Sequence, residues 1–223
     1  MPDISFQEIK ERIQVNGEDQ HNPCFLEIGA NEGDDTQHFV SNFPTAEIHC
    51  FECDPRAIEK WKRNIASPNA KLYEVALSDK TGECEFHQSD GQPDGTTWEN
   101  YGGHWDKSGS LLPNDQHTRF CKWMSFLPPI KVKCTTLDEW AKENLADDRI
   151  IDFAWVDVQG AEAMVLSGGQ ETIKRIRYWF AECDPRPLYK GMAKKQEIDS
   201  LLPGFSMVRP YPHFNFLWKN NSL

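Results

Sequence analysis

Apolar and polar positions along the chain switch between two periods, and the switches mark out its elements. Phe6, Ile9 and Ile13 recur at helical spacing and predict a short amphipathic helix over Phe6–Gln14, closed by Asn16 and Gly17. Cys24–Ile28 is a compact apolar run that ends in Gly29-Ala30-Asn31-Glu32-Gly33, ahead of a polar segment carrying Phe39, Val40 and Phe43. That order reads as strand, glycine turn and helix. Residues 48–52 repeat the strand pattern, and Asp54-Pro55 then supplies a capping side chain and a proline suited to the first helical position, with Ala57, Ile58 and Trp61 on one helical face. A third strand is predicted over 72–77, ending at Ser78-Asp79, and Thr81-Gly82 turns into the alternating pair Cys84 and Phe86. The resulting β-α-β-α-β order predicts a parallel sheet covered on both faces.

Residues 88–129 break the rhythm with Gly, Pro, Asp, Ser and Trp, and include Gly102-Gly103-His104-Trp105 and Ser108-Gly109-Ser110-Leu111-Leu112. A loop this long inside a domain reads as a lid or binding loop, with disorder as the alternative. Its aromatic residues, Trp98, Tyr101, Trp105, Phe120, Trp123 and Phe126, suit either an acceptor pocket or a satellite core. A strand over 132–136, antiparallel to 84–86, closes the insertion, and Leu137–Asn144 is a short helix. Order then resumes with a strongly apolar strand over 150–158 and a helix through Glu162, Val165, Leu166 and Ile173, interrupted by Gly168 and Gly169. A strand over 178–182 ends at Asp184-Pro185, a helix covers 194–202, and strands over 205–208 and 214–218 form a hairpin around Pro210 and Pro212. His213 in that turn and Met164 on its helix read as structural. The fold class expected is α/β, with residues 1–223 as a single domain carrying the 88–129 insertion.

Charge narrows the partners. Thirty-five acidic against 24 basic residues give a formal net charge of -11, which opposes a phosphate backbone, so nucleic acid is disfavoured. No apolar run approaches 18 residues and the N-terminus lacks an apolar signal core, so neither membrane spanning nor secretion is expected. Seven scattered cysteines point to reduced thiols and a cytoplasmic location. Cys50-x-x-Cys53 lies across a strand end with no second pair at zinc spacing and reads as structural. No metal site is expected, although Asp157, Glu182 and Asp184 would be the acids for folding to gather. Oligomeric state is left open.

In a doubly wound sheet the ligand crevice lies beyond the carboxyl ends of the strands. Here those ends carry Gly29 and Gly33, then Glu52, then Ala76 and Asp79, then Asp157, and finally Glu182 and Asp184. An acid at the second strand end is placed to accept both hydroxyls of a ribose, so the pattern points to a nucleoside cofactor. Gly-Ala-Asn-Glu-Gly is not the G-x-G-x-x-G of a dinucleotide fold. Glu27, Glu32, Asp34 and Asp35 crowd this turn, opposing a diphosphate while suiting the cationic, phosphate-free S-adenosylmethionine; plain helix capping is the competing explanation.

The ordered series Phe25-Leu26-Glu27-Ile28-Gly29-Ala30-Asn31-Glu32-Gly33-Asp34, Phe51-Glu52-Cys53-Asp54-Pro55, Val75-Ala76-Leu77-Ser78-Asp79, Thr136-Leu137-Asp138 and Asp157-Val158-Gln159-Gly160-Ala161-Glu162 resembles the FkbM family of methyltransferases over roughly residues 24–208. The resemblance implies a class I, Rossmann-like architecture: a mostly parallel seven-stranded sheet with an antiparallel last strand. It also implies methylation of a hydroxyl on a sugar or other small molecule, with S-adenosyl-L-methionine as cofactor. By matching motif, the methionine part falls near Glu27, Gly29, Asn31 and Gly33, the ribose at Glu52, the adenine beside Ala76 to Asp79, and the reacting end near Asp157. Ser110-Leu111-Leu112 matches a serine-leucine stretch of such insertions.

Gln159 departs from the glutamate usual in the family, and Cys53 stands within its Glu-Pro pair. Methyl transfer to oxygen needs positioning and a proton acceptor, and His104, Asp157 and Glu182 are the candidates. The functions in play are an oxygen methyltransferase, a nicotinamide-dependent enzyme disfavoured by the glycine pattern, and a catalytically inactive cofactor-binding or interaction protein suggested by Gln159.

Overall fold

The computed structural model describes residues 4–14, 22–92 and 105–223. Its strands are β1 (Cys24–Ile28), β2 (Glu47–Glu52), β3 (Ala70–Glu74), β4 (Ala76–Leu77), β5 (Gly82–Phe86), β6 (Ser89–Gly91), β7 (Met124–Phe126), β8 (Ile130–Thr135), β9 (Ile151–Val156), β10 (Ile176–Glu182), β11 (Phe205–Pro210) and β12 (Asn215–Asn220). Its helices are α1 (Phe6–Gln14), α2 (Asp34–Asn42), α3 (Pro55–Asn64), α4 (His117–Phe120), α5 (Leu137–Asn144), α6 (Glu162–Ser167) and α7 (Lys195–Leu201).

Seven strands form the main sheet in the order β11-β12-β10-β9-β1-β2-β3, and β12 alone runs against the rest. The expected doubly wound sheet with an antiparallel last strand is therefore present. Its central strands β1 and β9 are buried along their whole length, as expected of parallel strands covered on both faces. One face packs Phe25, Phe153 and Trp155 under α1, α2 and α3; the other packs Leu26, Ile28 and Val156 under α5, α6 and α7. Asp54 caps α3 by accepting from the Arg56 amide, with Pro55 at the first helical position, and Thr136 caps α5 by accepting from the Glu139 amide.

Two expected elements differ. The strand over 72–77 is two strands: the Val75 amide turns back to the Tyr73 carbonyl, and Ala76–Leu77 leaves the main sheet to pair with Cys134 and Thr135 of β8. The helix through Ile173 stops at Ser167, and a 3-10 turn follows over Thr172–Arg175. Gly168 lies against the Ser78 backbone, where a Cβ would stand 2.0 Å from the carbonyl oxygen, so only glycine fits where the helix ends. Strands β5 and β8 pair antiparallel as expected, with Cys84 opposite Val132. The described part of the 88–129 segment is ordered: β6 pairs with β7, His87 bridges Ser110, and Asn114 bridges Tyr189. Trp105 and Trp123 pack edge to face at 5.2 Å, and Phe120 is exposed.

Candidate active site

The turn after β1 is set by backbone geometry. Gly29 has φ +92°, and its amide and that of Ala30 both donate to the Phe51 carbonyl, at 3.0 and 2.9 Å. A Cβ on Gly29 would stand 1.9 Å from the Asp157 carbonyl oxygen, so the close approach that demands glycine is that of the chain leaving β9. Gly33 is needed for a different contact, against the Trp61 and Ile65 side chains of the α3 region. Asn31 and Gln159, both bordering the crevice, have positive φ values of 45° and 53°, unusual for residues with side chains.

Between the ends of β1, β2, β4 and β9 lies a cleft of about 170 Å³. Gly29, Asn31, Glu52, Ala76 and Asp157 all border it, so five of the expected cofactor residues meet in one place. Phe51, Val75, Leu77, Phe86 and Leu111 make one part of the wall apolar, while Asp34, Asp35, Asp106, Lys107 and Gln159 make the other polar. Gly33, Asp79 and Glu27 do not border it. Asp79 is exposed, accepting from the Ser78 hydroxyl at 3.2 Å. Glu27 lies beneath the turn, where its Oε2 accepts from the Thr36 hydroxyl at 2.6 Å and the Cys50 thiol at 3.3 Å. Trp61 Nε1 in turn donates to Thr36 at 2.9 Å, so Glu27 ties α2 and α3 to the sheet. Burial pushes its carboxyl up to about 8.

Glu52 is held by the backbone. Its Oε1 accepts from the amides of Cys53 and Asp54, both at 2.7 Å, and its Oε2 from that of Asn31 at 2.8 Å. Burial nevertheless pushes its carboxyl up to about 7, against the pull of those three donors. Asp35 is pushed up to about 6 by burial and then by the charge of Asp157. Asp157 is exposed within the cleft and accepts from Gln159 Nε2 at 2.7 Å.

Gln159 links the cleft to a smaller acidic pocket lined by Glu162, Glu182, Asp184 and Tyr189. The Tyr189 hydroxyl lies 3.0 Å from Gln159 Oε1, 2.9 Å from the Ser108 carbonyl and 3.0 Å from His117 Nδ1. The amide at 159 therefore donates to an acid on one side and accepts from a phenol on the other, a combination that an ionised glutamate cannot provide. Burial, then the charges of Asp157, Glu162 and Asp184, push Glu182 up to about 8. Asp184 is gripped by the Arg186 guanidinium. His104 lies outside the described residues, as do Trp98 and Tyr101. Among the described residues, three ligand-type groups gather within 4.8 Å at Cys24, Glu47 and His49, whereas Asp157, Glu182 and Asp184 form no such set. Cys50 and Cys53 are free thiols.

The insertion adds residues that no motif marked. Lys60 binds Asp106 at 2.6 Å, Lys107 binds Glu32 at 2.7 Å and Asp34 at 2.9 Å, and Arg56 donates to the Ser89 carbonyl at 3.0 Å. Together they seat residues 105–111 on α2 and α3 beside the cleft. Among the described residues, Asn31 Oδ1 and Asp106 Oδ1 are buried there without a hydrogen-bond partner. Such orphaned acceptors suit a ligand that brings donors and positive charge, and the surplus of acids along the polar wall opposes a diphosphate. The sequence signal available for this part was the Ser108-Gly109-Ser110 turn: a Cβ on Gly109 would stand 2.5 Å from the Phe86 ring.

Comparison with known proteins places these features in a wider set. A family model described as the methyltransferase FkbM domain matches residues 27–209. The 2-O-methyltransferase NoeI of Sinorhizobium fredii (strain NBRC 101917 / NGR234) is 38% identical over 191 residues, covering 85% of this chain and 75% of that protein. Among solved structures, an S-adenosylmethionine-dependent methyltransferase of Leishmania major aligns over 95% of this chain and 70% of its own, with 11% identity and a TM-score of 0.41. The human methyltransferase 10 domain containing protein aligns over 95% and 78%, with 10% identity and a TM-score of 0.42.

Proposed function

The chain belongs to the FkbM methyltransferase family, and from that premise we propose that its cleft holds S-adenosylmethionine and presents the methyl group to a hydroxyl of a sugar or other small molecule bound on the Glu182 side. The protein is an S-adenosylmethionine-dependent O-methyltransferase. The observation that carries the assignment of the cleft is the meeting of Gly29, Asn31, Glu52, Ala76 and Asp157 around it, with an apolar wall at one part and acids at the other.

Bound there, the cofactor supplies a methyl group already activated by its sulfonium, so the protein's work is to bind, orient and accept a proton. Glu52, fixed by three amides, accepts from a ribose hydroxyl. Phe51, Val75, Phe86 and Leu111 border the adenine and keep water from its faces. Asp35 and Asp157, whose charges oppose one another, are relieved by a cationic ligand between them. Glu182 is the proton acceptor for the attacking hydroxyl: a carboxyl raised to about 8 is far more basic than an ordinary glutamate. Gln159 orients Asp157 and, through Tyr189, ties it to the insertion.

The test is transfer of a labelled methyl group from S-adenosylmethionine to a panel of hydroxylated sugars and small alcohols. Label in a base-stable ether is expected. Nicotinamide dinucleotide binding in its place, with no S-adenosylmethionine bound, would overturn the reading.

A further inference from the structure

The polar wall of the cleft carries Asp34, Asp35, Glu52, Asp54, Asp106 and Asp157, and among the described residues lining it Lys107 is the one cation. That imbalance suits the sulfonium and ammonium of the cofactor but leaves its carboxylate needing a positive partner. We propose that Lys107 receives the carboxylate of the cofactor's amino-acid head, which makes the insertion part of cofactor recognition; the inference rests on reading the cleft as the S-adenosylmethionine site.

Placement and exchange both support it. Lys107 sits between two fixed points: Asp106 before it is pinned by Lys60, and Gly109 after it lies against Phe86. Its side chain is 25% exposed, so a charge pair there is only partly screened. Among the described residues, its two carboxylate partners differ in exposure. Glu32 is 12% exposed and stays in place, whereas Asp34 is 67% exposed and can yield the ammonium to a ligand at small cost.

Calorimetric titration with two ligands tests this. S-adenosylhomocysteine carries the amino-acid head; 5′-methylthioadenosine lacks it. Lys107→Met is expected to weaken the first by about 10–100-fold, the effect of losing one charge-assisted bond, and to leave the second within about twofold. Lys107→Arg should restore most of the loss. Equal weakening of both ligands would overturn the inference, because Lys107 would then act only by seating the insertion. So would unchanged homocysteine binding in Lys107→Met, or a wild type that binds both ligands equally. A wild type that binds neither overturns the cofactor assignment of the cleft as well.

Discussion

Replacing Glu52 with glutamine tests the cofactor cleft at its best-defined group. A carboxylate offers about four lone-pair sites, and three are taken by the amides of Cys53, Asp54 and Asn31. The geometry thus leaves room for one charge-assisted bond to a ribose hydroxyl, rather than the two a bare acid would accept. Such a bond contributes about 1.5–3 kcal/mol, so Glu52→Gln should raise the Kd of 5′-methylthioadenosine by about 10–150-fold. The amide NH2 must also confront a backbone N–H, which should cost about 1–3 kcal/mol of stability, or about 2–12 °C in Tm for a chain of this length. The pH dependence carries its own sign. With the free carboxyl at about 7, the site is protonated at pH 5 and must lose that proton before it accepts from the ligand as a carboxylate. Wild-type affinity should therefore rise about tenfold per unit from pH 5 toward 7 and flatten above it, while Glu52→Gln stays flat. Calorimetry with the 2′- and 3′-deoxy analogues completes the measurement. If both bind the wild type as tightly as the parent ligand, Glu52 does not read the ribose and the reasoning fails.

Three further outcomes are expected. Glu182→Gln should lower kcat by about 100-fold or more with little change in S-adenosylhomocysteine affinity, and the wild-type rate should climb toward pH 8 as Glu182 loses its proton; a pH-flat rate would exclude it as the base. The folded chain holds a proton on Glu27 up to about pH 8, whereas the unfolded chain releases it near 4.5, so Glu27 favours the fold at low pH and that contribution declines as pH rises from 4.5 to 8. Urea denaturation of the free protein should be easier at pH 8 than at pH 5, and the reverse order would contradict the burial argument. Gly29→Ala should cost about 1–2 kcal/mol for its left-handed backbone alone and more for the overlap with the Asp157 carbonyl, seen as a Tm lowered by at least about 3 °C; an unchanged Tm would show that the turn can relax.

The central strands were legible because a strand buried on both faces writes itself as an unbroken apolar run, as Cys24–Ile28 does. The hairpin of β11 and β12 and the cap at Asp54 were local enough to read as well. What escaped was set by contacts distant in sequence. Val75 leaves the main sheet because Ala76 and Leu77 have partners at Cys134 and Thr135, and the helix after Glu162 ends where Gly168 meets Ser78. The site divides in the same way. Gly29, Glu52 and Asp157 follow from topology, since strand ends in such a sheet share one edge. Asp106 and Lys107 do not, because their place depends on Lys60, Glu32 and Asp34, more than 45 residues away. Glu27 had the right neighbourhood but faces Thr36 below the turn, a direction that alternation along a five-residue strand cannot fix.

The most direct measurement of the central claim is a calorimetric titration of the purified protein with S-adenosylmethionine and, separately, with a nicotinamide dinucleotide. One saturable site for S-adenosylmethionine, weakened in Glu52→Gln, is expected, with no binding of the dinucleotide. Binding of the dinucleotide with no heat from S-adenosylmethionine would contradict it.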